Sequence, residues 1–154
     1  MVTIEISTVA EEGSPCVGEE DAAILELAPG DGCEAEGPVR YDLVVQKLGG
    51  QLLVTGRVSA VLRLPCARCA EMFSTTVADS SFLRDYLLQV GQREVDLTPD
   101  LREAILLELP RFAVCRENCA GLCPQCGKNL NQGACGCRPP PARGAWSALD
   151  GLRI

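Results

Sequence analysis

Six cysteines fall within residues 115–137, "CRENCAGLCPQCGKNLNQGACGC", spaced C-x3-C-x3-C-x2-C-x8-C-x-C in a chain of 154 residues with ten cysteines and no histidine. Thiolates in such density are metal ligands or redox groups. In the stretch from Cys123 to Gly127, Pro124 stiffens a turn, Cys123 and Cys126 can chelate one ion, and Gly127 admits the positive φ at which backbone folds around sulfur. Four-coordinate zinc needs two more thiolates, available from Cys115 or Cys119 on one side and Cys135 or Cys137 on the other, so six candidates compete for four places. An iron–sulfur cluster or thiol–disulfide exchange would draw on the same residues, but the ligand type and the knuckle favour zinc. A second pair, Cys66 and Cys69, is half a tetrahedral site, a redox pair, or two small buried residues at a hairpin end. Cys16 and Cys33 lack partner spacing and read as structural or free thiols.

Composition excludes several other roles. Residues 1–13 lack a basic region followed by an apolar one, and no apolar run reaches the roughly 18 residues of a membrane span, so a cytoplasmic protein without membrane attachment is expected. In a reducing cytosol thiols hold metal more readily than disulfides. Without histidine the commonest general base is missing, and no nucleophile–base pair or phosphate-binding loop stands out, which argues against an enzyme. Aromatic residues make up 4% of the chain, too few for a base-stacking platform. Residues 1–110 carry 8 basic and 19 acidic side chains and residues 111–154 carry 6 and 2, an acidic front and a basic tail. Such a tail suits an anionic partner.

The elements that must position the cysteines are clearest in the middle of the chain. "RYDLVVQKL", the pair Gly49-Gly50 and "QLLVTGRVSAVLRLPC" predict a hairpin, with Val54, Val58, Ala60, Leu62 and Leu64 on the buried face of its second strand and Leu53 and Val61 interrupting the polar one. Phe73, Thr75 and Val77 alternate on a third strand running back antiparallel, which places Cys66 and Cys69 at the intervening turn. Residues 3–9 predict a first strand, residues 10–38 a turn-rich acidic connection with "AAILELA" as strand or helical turn. Residues 97–109 predict a helix with Thr98 as N-cap, Pro99 at its first position, Pro110 after its end and a stripe of Leu101, Ile105 and Leu109, widened by Ala104 and Leu97, that covers the sheet. Glu103 and Glu108 read as solvated. The expected architecture is α+β: an antiparallel, hairpin-rich sheet, with closure toward a barrel allowed, covered by one main helix over 1–110. A small Cys-rich zinc-binding segment follows over 111–137, and a Pro-rich tail with a short helix through Trp146, Leu149 and Leu152 over 138–154. Structural zinc contributes about 10–16 kcal/mol where a whole domain is stable by about 5–15, so metal can decide whether a segment so poor in large apolar residues folds.

Three pieces in order, "LRLPCARCAEMF" at 62–73, "VDLTPDLREAILLELP" at 95–110 and "CRENCAGLCPQCGKNLN" at 115–131, with "WSALDGL" at 146–152, resemble the YceD family of large ribosomal RNA subunit accumulation proteins. The resemblance implies a bacterial or organellar cytoplasmic protein needed for accumulation of large-subunit ribosomal RNA, linked to ribosome assembly and not to a known catalytic activity. Some members lack the carboxyl-terminal cysteine box, which would make zinc there a stabilising feature and Cys66, Arg68 and Cys69 the better candidates for a shared functional surface. Ribosomal RNA or large-subunit ribosomal proteins are the implied partners, with Arg111, Arg116, Lys128, Arg138 and Arg143 available to phosphates. The reading from another class is a cytosolic thiol redox protein, or zinc-dependent redox switch, using Cys66 and Cys69.

Overall fold

The computed structural model describes residues 1–28, 30 and 32–138. Among them the elements run β1 (Thr3–Glu5), β2 (Ser14–Glu20), β3 (Glu34–Ala35), β4 (Val39–Leu48), β5 (Gln51–Pro65), β6 (Met72–Leu87), β7 (Glu94–Asp96) and α1 (Thr98–Leu107). The Gly49-Gly50 turn joins β4 to β5 antiparallel, with Leu48 opposite Gln51 and Arg40 opposite Ser59. Gly49 takes φ +59°, a conformation glycine adopts without the steric cost of a Cβ. β6 pairs along the other edge of β5, from Pro65 opposite Met72 to Gln51 opposite Leu87.

β3 and β4 lie one after the other along the first edge of β5, and β2 pairs outside β4. The order is open: β2 and β6 stand at its two edges, and no pairing among the described residues closes a barrel. β1 and β7 form a separate two-stranded ribbon.

The period-two reading of β5 holds along its length. Leu52, Val54, Val58, Ala60, Leu62 and Leu64 are buried, and Leu53 and Val61 on the opposite face are half-buried. The period of β6 changes midway. Val58 faces Asp79 and Gly56 faces Phe82, so one residue on β5 spans two on β6. That extra residue moves the inward side chains of β6 from odd positions, ending at Val77, to even ones, beginning at the buried Phe82. Gly56 makes the irregularity possible: at φ +148° a Cβ there would lie 2.2 Å from the Asp42 carbonyl oxygen.

Two strands stood hidden in the stretch predicted as connection. β2, "SPCVGEE", carries proline and glycine in its interior, and pairing with β4 rather than propensity makes it a strand. The ring of Tyr41 occupies the space a side chain at Gly18 would need, with its hydroxyl 2.6 Å from that Cβ position. "AAIL" forms a 3-10 turn, Ala22–Leu25, that buries Leu25. The expected first strand is shorter than its pattern, giving way to a 3-10 turn at Ile6–Thr8.

α1 lies over the sheet as predicted, with Leu97, Leu101, Ala104 and Ile105 buried and Leu109 half-buried. Its start differs. Leu97, not Thr98, holds the cap position, and the Asp96 carboxylate accepts from the Thr98 N–H at 2.9 Å. The Thr98 hydroxyl instead accepts from the Val2 N–H at 2.8 Å, tying the chain's first residues to the helix. Asp100 accepts from Arg84 Nε at 3.0 Å and from the Tyr86 hydroxyl, which fixes α1 against β6. Among the described residues, the main cluster of nineteen buried side chains contains no cysteine. Trp146, Leu149, Leu152 and Arg143 lie outside the described residues.

Candidate metal centres

The inward row of β5 runs Leu62, Leu64, Cys66, so strand parity carries one thiol off the end of the sheet still facing inward, and the turn to β6 delivers Cys69 beside it. Beyond α1 the chain returns to this turn, with the Ala67 N–H donating to the Ala113 carbonyl at 2.7 Å. Cys115 and Cys119 follow. The result is a tetrad of Cys66, Cys69, Cys115 and Cys119 whose sulfurs all lie within 4.8 Å of one another. A second tetrad joins Cys123, Cys126, Cys135 and Cys137 within the same limit. The six carboxyl-terminal thiols therefore do not compete for one site: two of them complete the half-site at the hairpin turn. No two of the ten cysteines form a disulfide, and Cys16 and Cys33 pack half-buried against the core.

The two Cys-x2-Cys turns share one backbone design. In each, the N–H of the first cysteine donates to the carbonyl five residues on, Cys66 to Glu71 at 2.9 Å and Cys123 to Lys128 at 2.8 Å. The N–H four residues on donates back, Ala70 to the Cys66 carbonyl at 2.9 Å and Gly127 to Cys123 at 2.8 Å. That fifth residue takes a left-handed conformation in both, φ +59° at Ala70 and +72° at Gly127. Gly127 fits the sequence reading; Ala70 does the same without glycine's freedom.

The sulfur spacing fits one tetrahedral ion. Zinc–thiolate bonds of about 2.3 Å place tetrahedral sulfurs roughly 3.8 Å apart. Cys66 and Cys119 are 3.8 Å apart, Cys69 and Cys115 3.9 Å. A four-iron cluster would spread its thiolates over separate irons and hold them farther apart. The first centre is enclosed, with Cys66, Cys69 and Cys119 buried; in the second only Cys123 is buried, while Cys126 and Cys137 are exposed.

Hydrogen bonds to sulfur prepare particular thiolates. The Cys115 N–H donates to Cys66 Sγ at 3.4 Å, as does the Arg68 N–H, and the Cys66 thiol is lowered to about 6, with the Cys115 contact the largest cause and burial opposing it. Backbone N–H groups of Cys126 and Gln125 lead in lowering Cys123 to about 6. Cys119 is lowered chiefly by the side-chain amide of Asn131, 3.3 Å from its sulfur. Burial raises Cys115 to about 12, and the shared protons of Cys126 and Cys135 raise Cys137 to about 12. Without metal each tetrad divides its charge between thiolates and thiols; a bound cation would draw off the remaining protons.

Arg68 occupies the first knuckle, and its guanidinium donates to the carbonyls of Glu117 at 2.9 Å and Cys119 at 3.3 Å. Its own carbonyl accepts from the Leu122 N–H at 3.0 Å. It thus clamps the loop that brings Cys115 and Cys119 to the hairpin. Of the basic tail residues, Arg116 donates to Asn131 at 2.7 Å and Lys128 to the Ala134 carbonyl at 3.1 Å, while Arg111 and Arg138 are exposed. Asn131, absent from the sequence reading, touches Arg116, Ala120, Cys119 and Asn129. Its position in the "GKNLN" run after a knuckle was the available signal.

Residues 83–153 match the family model described as large ribosomal RNA subunit accumulation protein YceD. Over these residues the chain is similar to the YceD family. The family match begins within β6 and takes in Cys115 to Cys137 but not Cys66 and Cys69. A maize protein named large ribosomal RNA subunit accumulation protein YCED homolog 1, chloroplastic, is 28% identical over 177 residues, covering 85% of this chain and 60% of the maize protein. An uncharacterized protein of Mycobacterium tuberculosis is 36% identical over 103 residues, covering 58% of this chain and 50% of its own. The chain spans about half the length of the first curated relatives it matches. No solved structure matches. No helix among the described residues is long and apolar enough to cross a membrane.

Proposed function

We propose that the protein is a non-enzymatic, cytoplasmic factor in the accumulation of large-subunit ribosomal RNA, working in ribosome assembly with zinc as a structural ion. The observation that carries the role is the similarity to the YceD family, with a maize relative that bears that function in its name. The zinc reading rests on two sets of four sulfurs, each within 4.8 Å of one another, and on sulfur pairs in the first set at the spacing of a tetrahedral ion. On this reading residues 111–137 form a zinc module fastened to the sheet-and-helix unit of residues 1–110 by the first tetrad. Its exposed Arg111, with Arg138 just beyond the module, is suited to ribosomal RNA phosphates, and the acidic sheet unit to a basic large-subunit protein.

A redox pair at Cys66 and Cys69 is the competing reading. The convergence of Cys115 and Cys119 on the same point supports metal instead, because a dithiol switch has no use for four sulfurs around one centre. Deleting the gene in its host and comparing large- with small-subunit ribosomal RNA tests the role: a fall in the large species, restored by the intact gene, is expected. An unchanged ratio, together with no salt-dependent binding of the purified protein to assembling large subunits, ends the proposal. Elemental analysis tests the ion; two zinc per chain is expected, and metal-free protein with a reversible Cys66–Cys69 disulfide would favour the redox reading.

A further inference from the structure

The second tetrad closes the loop between Cys126 and Cys135, and that loop contains Asn131. Asn131 does not face its own centre. Its Nδ2 donates to Cys119 Sγ, a ligand of the other centre, at 3.3 Å, and to Asn129 Oδ1 at 2.8 Å. Its Oδ1 accepts from the Ala120 N–H at 2.9 Å and from Arg116 at 2.7 Å, both beside Cys119. The Leu130 N–H donates to the Gly121 carbonyl at 2.9 Å, and Leu122 bridges to Asn129, so the same loop is laced to residues 119–122. Groups that hydrogen-bond a metal ligand orient it and commonly change metal affinity by about 10- to 100-fold.

We infer that the two tetrads are a coupled pair of metal sites, in which an ion in the second centre strengthens binding in the first through Asn131. This rests on the metal reading of both tetrads. The physical chain is short. An ion held by Cys123, Cys126, Cys135 and Cys137 fixes the loop; the fixed loop holds the Asn131 amide on Cys119; the oriented thiolate binds the first ion more tightly. Loss of the second ion frees the loop and takes the amide away. Coupling is reciprocal, so an ion in the first centre raises the affinity of the second by the same factor. Asn131 is a positioning residue, acting on the first ion only through Cys119.

Cadmium-113 titration of the full chain against a chromophoric chelator tests this, since nuclear resonance reports each centre separately. The intact chain is expected to bind two ions. Cys126→Ser with Cys137→Ser, both exposed positions, removes the second centre and should weaken the first by about 10- to 100-fold. Asn131→Ala should weaken the first to a similar degree while both ions still bind, and should shift the first resonance. Combining the three substitutions should cost the first centre no more than about twofold beyond the double change, the non-additivity of groups acting along one path. Asn131→Asp keeps the acceptor contacts to Arg116 and Ala120 but puts a carboxylate oxygen in place of the donor beside Cys119, so it should weaken the first centre at least as much as alanine and serves if the alanine variant fails to fold. Two ions in the intact chain with unchanged first-centre affinity in the double variant, or effects that multiply, would overturn the coupling alone. Fewer than two ions in the intact chain would overturn the metal reading beneath it as well.

Discussion

The shared backbone of the two knuckles makes a paired exchange informative. Ala70→Gly and Gly127→Ala swap the residues at matching left-handed positions, φ +59° and +72°. At Gly127 an added Cβ meets nothing within 4 Å, so neighbours add no clash and backbone strain alone sets the cost. An L-residue pays roughly 1–2 kcal/mol in this region, and alanine recovers about 0.4–1 kcal/mol by restricting the unfolded chain. The net is about 1 kcal/mol, or roughly fivefold in an equilibrium constant. Gly127→Ala should therefore weaken metal binding at the second centre by about fivefold, and Ala70→Gly should strengthen the first by a similar factor. Chelator competition monitored separately at each centre reads both. Changes of the same sign, or a Gly127→Ala effect below about twofold, would refute the claim that one strained turn underlies both sites.

Other consequences follow from the same contacts. Gly56→Ala should destabilise the sheet by about 3 kcal/mol, seen as a lower urea midpoint, because its Cβ would stand 2.2 Å from the Asp42 oxygen and 2.8 Å from Leu43 Cα; an unchanged midpoint contradicts the close approach. Burial, then Asp100, raises Tyr86, and burial, then Cys16 and Glu20, raises Tyr41. The folded state thus favours the neutral phenols, so their contribution to stability is intact below about pH 10 and declines as pH rises beyond it; an ultraviolet titration in which both ionise at the ordinary value refutes this. A strong chelator should leave the β-sheet circular dichroism in place, since the main buried cluster among the described residues contains no cysteine, while trypsin gains access at Arg116 and Lys128; equal resistance with and without chelator would remove metal as the support of that segment.

Much of the fold was legible because its signals were local. The Gly49-Gly50 turn, the alternation of β5 and the stripe of α1 each reflect a period imposed by one element burying one face, and each reappears in the burial of Val54, Leu62, Leu101 and Ile105. β2 was not legible, because Pro15 and Gly18 argue against a strand and only the edge of β4 and the ring of Tyr41 make one. The inward phase of β6 was legible only as far as Val77, since the irregularity opposite Gly56 depends on how two strands meet. Thr98 read as a cap from its neighbours alone, whereas the Val2 N–H, ninety-six residues away, claims its hydroxyl.

The candidate site divides in the same way. Sequence by itself determined which atoms could bind metal, that Cys123 and Cys126 form a knuckle, and that Cys66 and Cys69 sit at a hairpin end, for each follows from spacing along a few residues of backbone. Only the tertiary structure decided that Cys115 and Cys119 turn back to that hairpin while Cys135 and Cys137 stay with Cys123, making two tetrads where the pattern allowed one tetrad and a half-site. Spacing sets which thiols can reach a common point. Which point they reach is set by long-range contacts, the Ala67–Ala113 hydrogen bond and the Arg68 clamp, that no local pattern contains.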